Sequence, residues 1–440
     1  MKPFPAARMM LPTLLLLAAP RAQEAQDPLA AACAWLAAPA AWKEPAPGAD
    51  VTLSRQQVEE YLPKLLDALR DGVRASGGAT LRLAGAEDPG TLTVGTFTFP
   101  YVLRTKGERP ATGWPLYLCL HGGGGNDKAD GPHGWSVNTG EWKAQQRLVD
   151  RLYPSPGLYF VPRMADDRQG RWWFDHNQEA FDEVIRQAIL FHGVDPDRVH
   201  LLGISEGGYG AIRFAGNRPD RFASCGAMAA AEPLDTSPPE NMRNVSLRID
   251  IGEKDTMFDR VGLARRMGDQ LAKLHEADRG GFDHVLAVQP GRGHGIDYRP
   301  GPEWLATKVR NPHPDRVCWV VRPFHTRVAL QQYWLELPEV PTDQPLHLDA
   351  RIRGNRVELE AWRNGADGSG RVPAEKGTVR VRLADGMVDL DQPLEVVVNG
   401  KTRELVRARR TLATLVRTLV ERGDPRLAFP AEVALELQPR

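Results

Sequence analysis

Among 440 residues the chain has only four cysteines and nine serines, no excess of either charge, and no apolar run long enough to span a bilayer. Each scarcity excludes something. Lys plus Arg and Asp plus Glu both number 56, so no global field favours nucleic acid or an anionic membrane surface. The basic cluster Arg407-Ala408-Arg409-Arg410 reads as a solvated face rather than a binding patch. Four cysteines are too few for a disulfide-built scaffold. Cys119 and Cys225 fall in apolar strand candidates and read as buried free thiols, while Cys33 and Cys318 stay open as a pair that spacing does not decide. No internal repeat and no metal-ligand spacing is present, so no metal is implied.

What is present is a chain too long for one domain, with ordinary globular composition. Lys2 and Arg8 precede a short apolar run over 9–19, followed by small and polar residues. This reads as an export signal over residues 1–25, cut after Ala22 or Ala25, with secretion or a periplasmic location as the consequence; a disordered tail is the alternative. Residues 26–75 form an Ala- and Pro-rich irregular lead-in, then a helix begun by the capping-box pattern at Ser54 and running to about Gly72 despite Pro63. Alternation from Thr91 to Arg104 predicts paired strands.

Over 76–310 the rhythm is strand, loop, helix. Strands at 116–120, 158–162, 199–202, 222–228, 246–251 and 284–289 are apolar throughout, and helical patterns such as Phe181 to Phe191 and Val261 to Leu274 separate them. That pattern means an α/β unit, a mostly parallel sheet covered by helices, whose ligands bind at the carboxyl ends of the strands. From 311 to 440 the chain turns β-rich, with an Asn399-Gly400 hairpin signal and one amphipathic helix capped at Thr411. This part reads as a smaller β-sandwich-like domain that supports the first; polymer or carbohydrate binding is its alternative role.

Gly203-Ile204-Ser205-Glu206-Gly207 follows the apolar run Val199-His200-Leu201-Leu202 and opens a helix pattern. With so few serines, chance supplies such a pentapeptide roughly 0.08 times. A serine on that sharp turn stands clear of the sheet, fit to act as a nucleophile. A second motif, His121-Gly122-Gly123-Gly124-Gly125, follows the strand ending at Leu120 and can present bare backbone N–H groups. Gly123 and Gly124, with the N–H of Glu206, are the expected oxyanion donors. Asp255 lies past the strand Leu247 to Ile251 and is preferred as the acid over Asp250, inside that strand, and Asp259, a turn further on. Of the histidines after it, His294 falls just beyond the carboxyl end of the 284–289 strand. His284 sits at its wrong end, and His313, His325 and His347 lie further along. Arg171-Trp172-Trp173-Phe174 follows another strand, so Trp172, Trp173 and His121 are candidates for the substrate pocket wall, with core packing the alternative.

In order and spacing, Gly203-x-Ser205-x-Gly207, His121-Gly-Gly-Gly, Asp255 and His294 resemble the serine esterases of the α/β-hydrolase fold. The stretch from Asp195 to Gly210 looks like secreted esterases of the polyhydroxybutyrate-depolymerase and feruloyl-esterase type, and shares a Gly-Gly-Tyr with prolyl-oligopeptidase-like peptidases. The resemblance covers about residues 90–310. It implies acylation of Ser205 by a small or polymeric ester, then hydrolysis with His294 as base and no cofactor. A peptidase on the same scaffold is the first alternative, and a non-catalytic binding protein that kept the fold is the second. Glu206, a carboxylate directly after the serine, either selects against anionic substrates or pairs locally.

Overall fold

The computed structural model describes residues 27–342, 345–365, 370–403 and 405–438; the expected export signal and most of the 365–370 loop lie outside the described residues. Helix α1 spans Pro28–Leu36 and α2 Arg55–Ala75. The first replaces the irregular lead-in expected from composition. Asp27 caps it through the Leu29 N–H, and Pro28 sits where a missing N–H costs nothing. Helix α2 begins on a reciprocal capping box between Ser54 and Gln57 and absorbs Pro63 within its third turn.

The central unit follows as β1 Gly90–Val94, β2 Phe97–Lys106, β3 Trp114–Leu120, α3 Ser136–Leu152, β4 Gly157–Pro162, α4 Asp175–His192, β5 Val194–Ile204, α5 Glu206–Asn217, β6 Ser224–Met228, β7 Ser246–Gly252, α6 Arg260–Ala277, β8 His284–Gln289 and α7 Pro300–Ala306. Its eight strands lie in the order β1-β2-β4-β3-β5-β6-β7-β8. The first two pair antiparallel, β2 meets β4 antiparallel, and all later pairings are parallel. Strand β3 is buried on both faces because helices cover both. Alternate residues of one strand therefore enter two separate cores: Leu116, Leu118 and Leu120 pack on one side, Tyr117 and Cys119 on the other.

Among the described residues the β-rich end forms a four-stranded and a six-stranded sheet around its own core, in which Trp319, Trp334, Leu359 and Val381 are buried, with a separate two-stranded ribbon over 323–328. Asn399 and Gly400 take φ of 49° and 74° at the tight turn joining Val398 to Lys401, as a two-residue hairpin demands. Helix α8, Leu412–Arg422, starts on the Thr411 cap. Its apolar face packs against α1 and α2 rather than into the sandwich core, so a fourth core joins the two ends of the chain. Arg410, expected on a solvated face, is instead buried against Asp385 and Asp391. All four cysteines are free. Cys33 lies on α1 beside Lys64 and Cys318 lies in the strand Arg316–Val321 of the sandwich, so the open question of their pairing is answered in the negative. Among the described residues no helix is long and apolar enough to cross a membrane.

Candidate active site

Strand β5 ends at Ile204 and α5 begins at Glu206, leaving Ser205 alone to turn the chain. Its φ of 52° and ψ of −113° lie outside the regions that side chains ordinarily occupy. The turn closes only with glycine at both flanks. A Cβ on Gly203 would stand 2.1 Å from the Gly207 carbonyl oxygen, and one on Gly207 would stand 2.4 Å from that of Leu120. The Ser205 N–H donates to the Met228 carbonyl at 2.8 Å, which ties the turn to β6.

Three loops at the carboxyl end of the sheet converge there. Ser205 Oγ lies 3.0 Å from His294 Nε2, and His294 Nδ1 lies 2.7 Å from Asp255 Oδ2. The imidazole is about half exposed while the Asp255 side chain is buried. A buried carboxylate needs partners, and Arg260, the first residue of α6, supplies one: its guanidinium donates to Asp255 Oδ1 at 3.0 Å and to the Tyr209 hydroxyl at 2.7 Å. It also stands 3.4 Å from His294 Nδ1. The competing acids are engaged elsewhere, Asp250 with Arg248 at 2.7 Å and Asp259 with Arg266 at 2.6 Å. His284 opens β8 and bonds the Phe282 carbonyl, away from the serine.

The glycine loop after β3 is held by polar groups that carry no local sequence signature. His121 is fully buried, and burial lowers its imidazole to about 3, so the ring is neutral. Its Nε2 accepts the Met164 N–H at 3.0 Å, which leaves the Nδ1 proton to donate to the Gly122 carbonyl at 2.6 Å. Trp172 is fully buried too, and its indole N–H donates to the His121 carbonyl at 2.9 Å. Neither His121 nor Trp172 therefore offers a side chain to a substrate. Both brace the loop from below, contrary to the expected pocket wall. Trp173 is only partly buried, with the Arg213 guanidinium 3.8 Å over its ring.

Gly123 and Gly124 take φ of 101° and 143°, open only to glycine. Among the described residues the N–H groups of Gly123 and Glu206 have no acceptor in the protein. The Gly124 N–H is already committed: it donates to Asn138 Oδ1 at 3.0 Å, and Asn138 Nδ2 returns a bond to the Gly124 carbonyl at 2.9 Å. This removes Gly124 from the expected set of oxyanion donors and makes it an anchor. Asn138 in turn donates to Asp167 at 2.7 Å, which is buried against Arg163.

Glu206 pairs locally, as one of its two expected roles allows. Its Oε2 accepts from Arg171 at 2.6 Å, while Oε1 is buried with no partner in the protein. Burial pushes this carboxyl up to about 7 against the pull of Arg171. Among the described residues no three His, Cys, Asp or Glu side chains converge as a metal centre requires.

No family model matches the chain. Over 148 residues it is 32% identical to NocK from Nocardia uniformis subsp. tsuyamanensis, a protein named as a candidate esterase. That alignment covers 33% of this chain and 41% of NocK, so the chain spans about two fifths of the relative it matches. Among solved structures it is similar to a thermostable esterase (19% identity, TM-score 0.36, 50% of this chain and 63% of that one). It is also similar to the BES protein from Bacillus cereus (11%, 0.36, 51% and 98%) and to the enterobactin and salmochelin hydrolase IroE (16%, 0.34, 50% and 93%). The strand order β1-β2-β4-β3-β5-β6-β7-β8, the serine turn after β5 and the glycine loop after β3 make the central unit an α/β-hydrolase fold.

Proposed function

We propose that the chain hydrolyses carboxylic esters through an acyl-enzyme on Ser205. The observation that carries this is the continuous line Ser205 Oγ, His294 Nε2, His294 Nδ1, Asp255 Oδ2, with steps of 3.0 and 2.7 Å, beside two uncommitted backbone N–H groups. His294 takes the serine proton as Oγ attacks the ester carbonyl, and Asp255 holds the ring in the tautomer that can accept it. The N–H groups of Gly123 and Glu206 receive the oxyanion. When the tetrahedral species collapses, the carbon–oxygen bond to the alcohol breaks and the His294 proton passes to the leaving oxygen. Water then attacks the acyl group by the same route in reverse, releasing the acid and restoring Ser205.

The similarity to NocK supports the same reading. Export through residues 1–25 belongs to this proposal, as does a supporting role for the β-rich end. The test compares p-nitrophenyl acetate and butyrate with a chromogenic prolyl peptide on the same protein. Ester turnover with little or no peptide turnover is expected. Peptide cleavage alone would replace the esterase reading with the peptidase one. Failure of a fluorophosphonate probe to label Ser205 would remove both.

A further inference from the structure

The chain between Asp255 and Arg260 carries two costs on one residue. Phe258 has φ 54° and ψ 25°, and Asp259 after it has φ 56° and ψ 31°. A bulky aromatic in the left-handed region is a genuine outlier, and strain of this kind gathers at functional sites. Phe258 is also 73% exposed and its neighbour Met257 62%. Among the described residues no other large hydrophobics stand side by side with such exposure. The turn is held open from both ends. The Asp259 N–H donates to the Thr256 carbonyl, the Val261 N–H donates to the Asp255 carbonyl, and Arg260 reaches back to the Asp255 carboxylate.

The position of the pair gives the exposure a use. The Phe258 ring centre is 5.2 Å from the Arg260 guanidinium carbon, and that guanidinium stands 3.4 Å from His294 Nδ1. The ring is therefore tied through Arg260 to the Nδ1 edge of the imidazole, whose Nε2 edge faces Ser205. In ester cleavage the imidazole must face the leaving oxygen in order to protonate it. An alcohol portion that continues past the imidazole would meet this turn.

Resting on the ester-hydrolase reading above, we propose that Phe258 and Met257 are the contact for the alcohol portion of the substrate, and that the preferred substrates are esters of aromatic or medium-chain alcohols. The exposed ring gains an apolar partner only when substrate is bound, which explains why a strained aromatic occupies a position that glycine or asparagine would fill more easily.

The test uses two ester series with the wild type, Phe258→Asn and Phe258→Leu. One varies the alcohol at fixed acid: methyl, butyl and benzyl acetate. The other varies the acid at fixed alcohol: methyl acetate, butyrate and phenylacetate. In Phe258→Asn the benzyl-to-methyl ratio of kcat/KM in the alcohol series should fall about tenfold, as loss of an apolar contact allows. Phe258→Leu should keep part of it, and the acid series should keep its wild-type ratios. Thermal unfolding controls for folding: Asn tolerates the left-handed conformation, so the Tm of Phe258→Asn should equal or exceed that of the wild type. If it falls, Phe258→Gly repeats the ratio measurement. An unchanged alcohol ratio in the folded variant, or an equal fall in both series, overturns the assignment while leaving the hydrolase reading in place. Absence of turnover of every ester by the wild type, together with no fluorophosphonate labelling, overturns both.

Discussion

Asn138 and Gly124 exchange two hydrogen bonds, side-chain Oδ1 to backbone N–H at 3.0 Å and side-chain Nδ2 to backbone carbonyl at 2.9 Å. A loop of consecutive glycines has the greatest freedom to lose on folding, and this pair fixes it from α3. Its carboxamide occupies the space that side chains on the loop would need: a Cβ on Gly123 would stand 2.0 Å from Asn138 Oδ1. In the proposed mechanism, preorganisation of the oxyanion donors rests on this residue, 14 positions from Gly124 in sequence.

Asn138→Ala should lower kcat by about 10²-fold, the scale of losing an oxyanion donor, with a much smaller change in KM. It also leaves Asp167 Oδ1 short of a donor in a buried site, so some fall in Tm is expected. Steady-state kinetics beside a melting curve checks both. A rate unchanged while Tm drops would mean the pair serves stability alone.

Arg260→Met should lower kcat by roughly ten- to a hundredfold while KM for a small ester changes little. The buried Asp255 carboxylate then loses its cation and its tie to Tyr209 on α5, and the His294 ring loses its fixed partner. Arg260→Lys should recover part of the rate, because the charge returns without the two-pronged geometry. Equal activity in all three proteins would show that Asp255 needs no such support.

Glu206 gives a pH-dependent stability with a definite sign. Its folded value of about 7 exceeds the ordinary 4.5, so the folded chain binds the extra proton. The contribution is fully present below about 4.5 and is lost as pH rises through about 7. Relative to Glu206→Gln, the wild type should be stabler at pH 4.5 than at pH 7.5, and the Tm difference should level off above that. Calorimetry across this range reads the difference directly, and a difference that does not vary with pH would contradict the burial of this carboxyl.

Arg310 joins the hydrolase unit to the β-rich end. Its guanidinium bonds Asp197 at 2.9 Å and Asp424 at 2.8 Å, with the Arg310 and Asp424 side chains each only 1% exposed. Arg310→Ala takes the buried cation from Asp424 and leaves Asp197 only Arg426 at 3.4 Å, and should cost about 3–5 kcal/mol in chemical denaturation. Adding Asp424→Asn to that variant should return part of the loss. No recovery would mean the ion pair is not what couples the two parts.

How much of this was legible in the sequence follows from the range of each interaction. The strands of the parallel sheet stand out because burial on both faces makes them apolar throughout, as Leu116 to Leu120 shows. The chain order serine, aspartate, histidine is enough to bring Ser205, Asp255 and His294 within hydrogen-bonding distance, since each follows a strand in the same sheet. Helix α1 was hidden because Ala and Pro dominate its surroundings and only Asp27 and Pro28 mark its start. The pocket-wall assignment of Trp172 and His121 failed for a different reason. Aromatic residues near a site look alike whether they face substrate or brace the backbone, and only burial separates the two. Asn138 and Arg260 act through partners brought close by tertiary folding, so no spacing announces them. The Arg410 pairing with Asp385 and Asp391 is of the same kind.

Ser205 as the nucleophile of an ester hydrolase stands or falls on the hydrolysis of p-nitrophenyl butyrate by the wild type and by Ser205→Ala at equal concentration. Loss of a triad nucleophile costs about 10⁴–10⁶ in rate, so turnover by the wild type that disappears in the variant is the predicted result. Equal turnover by both proteins would contradict it.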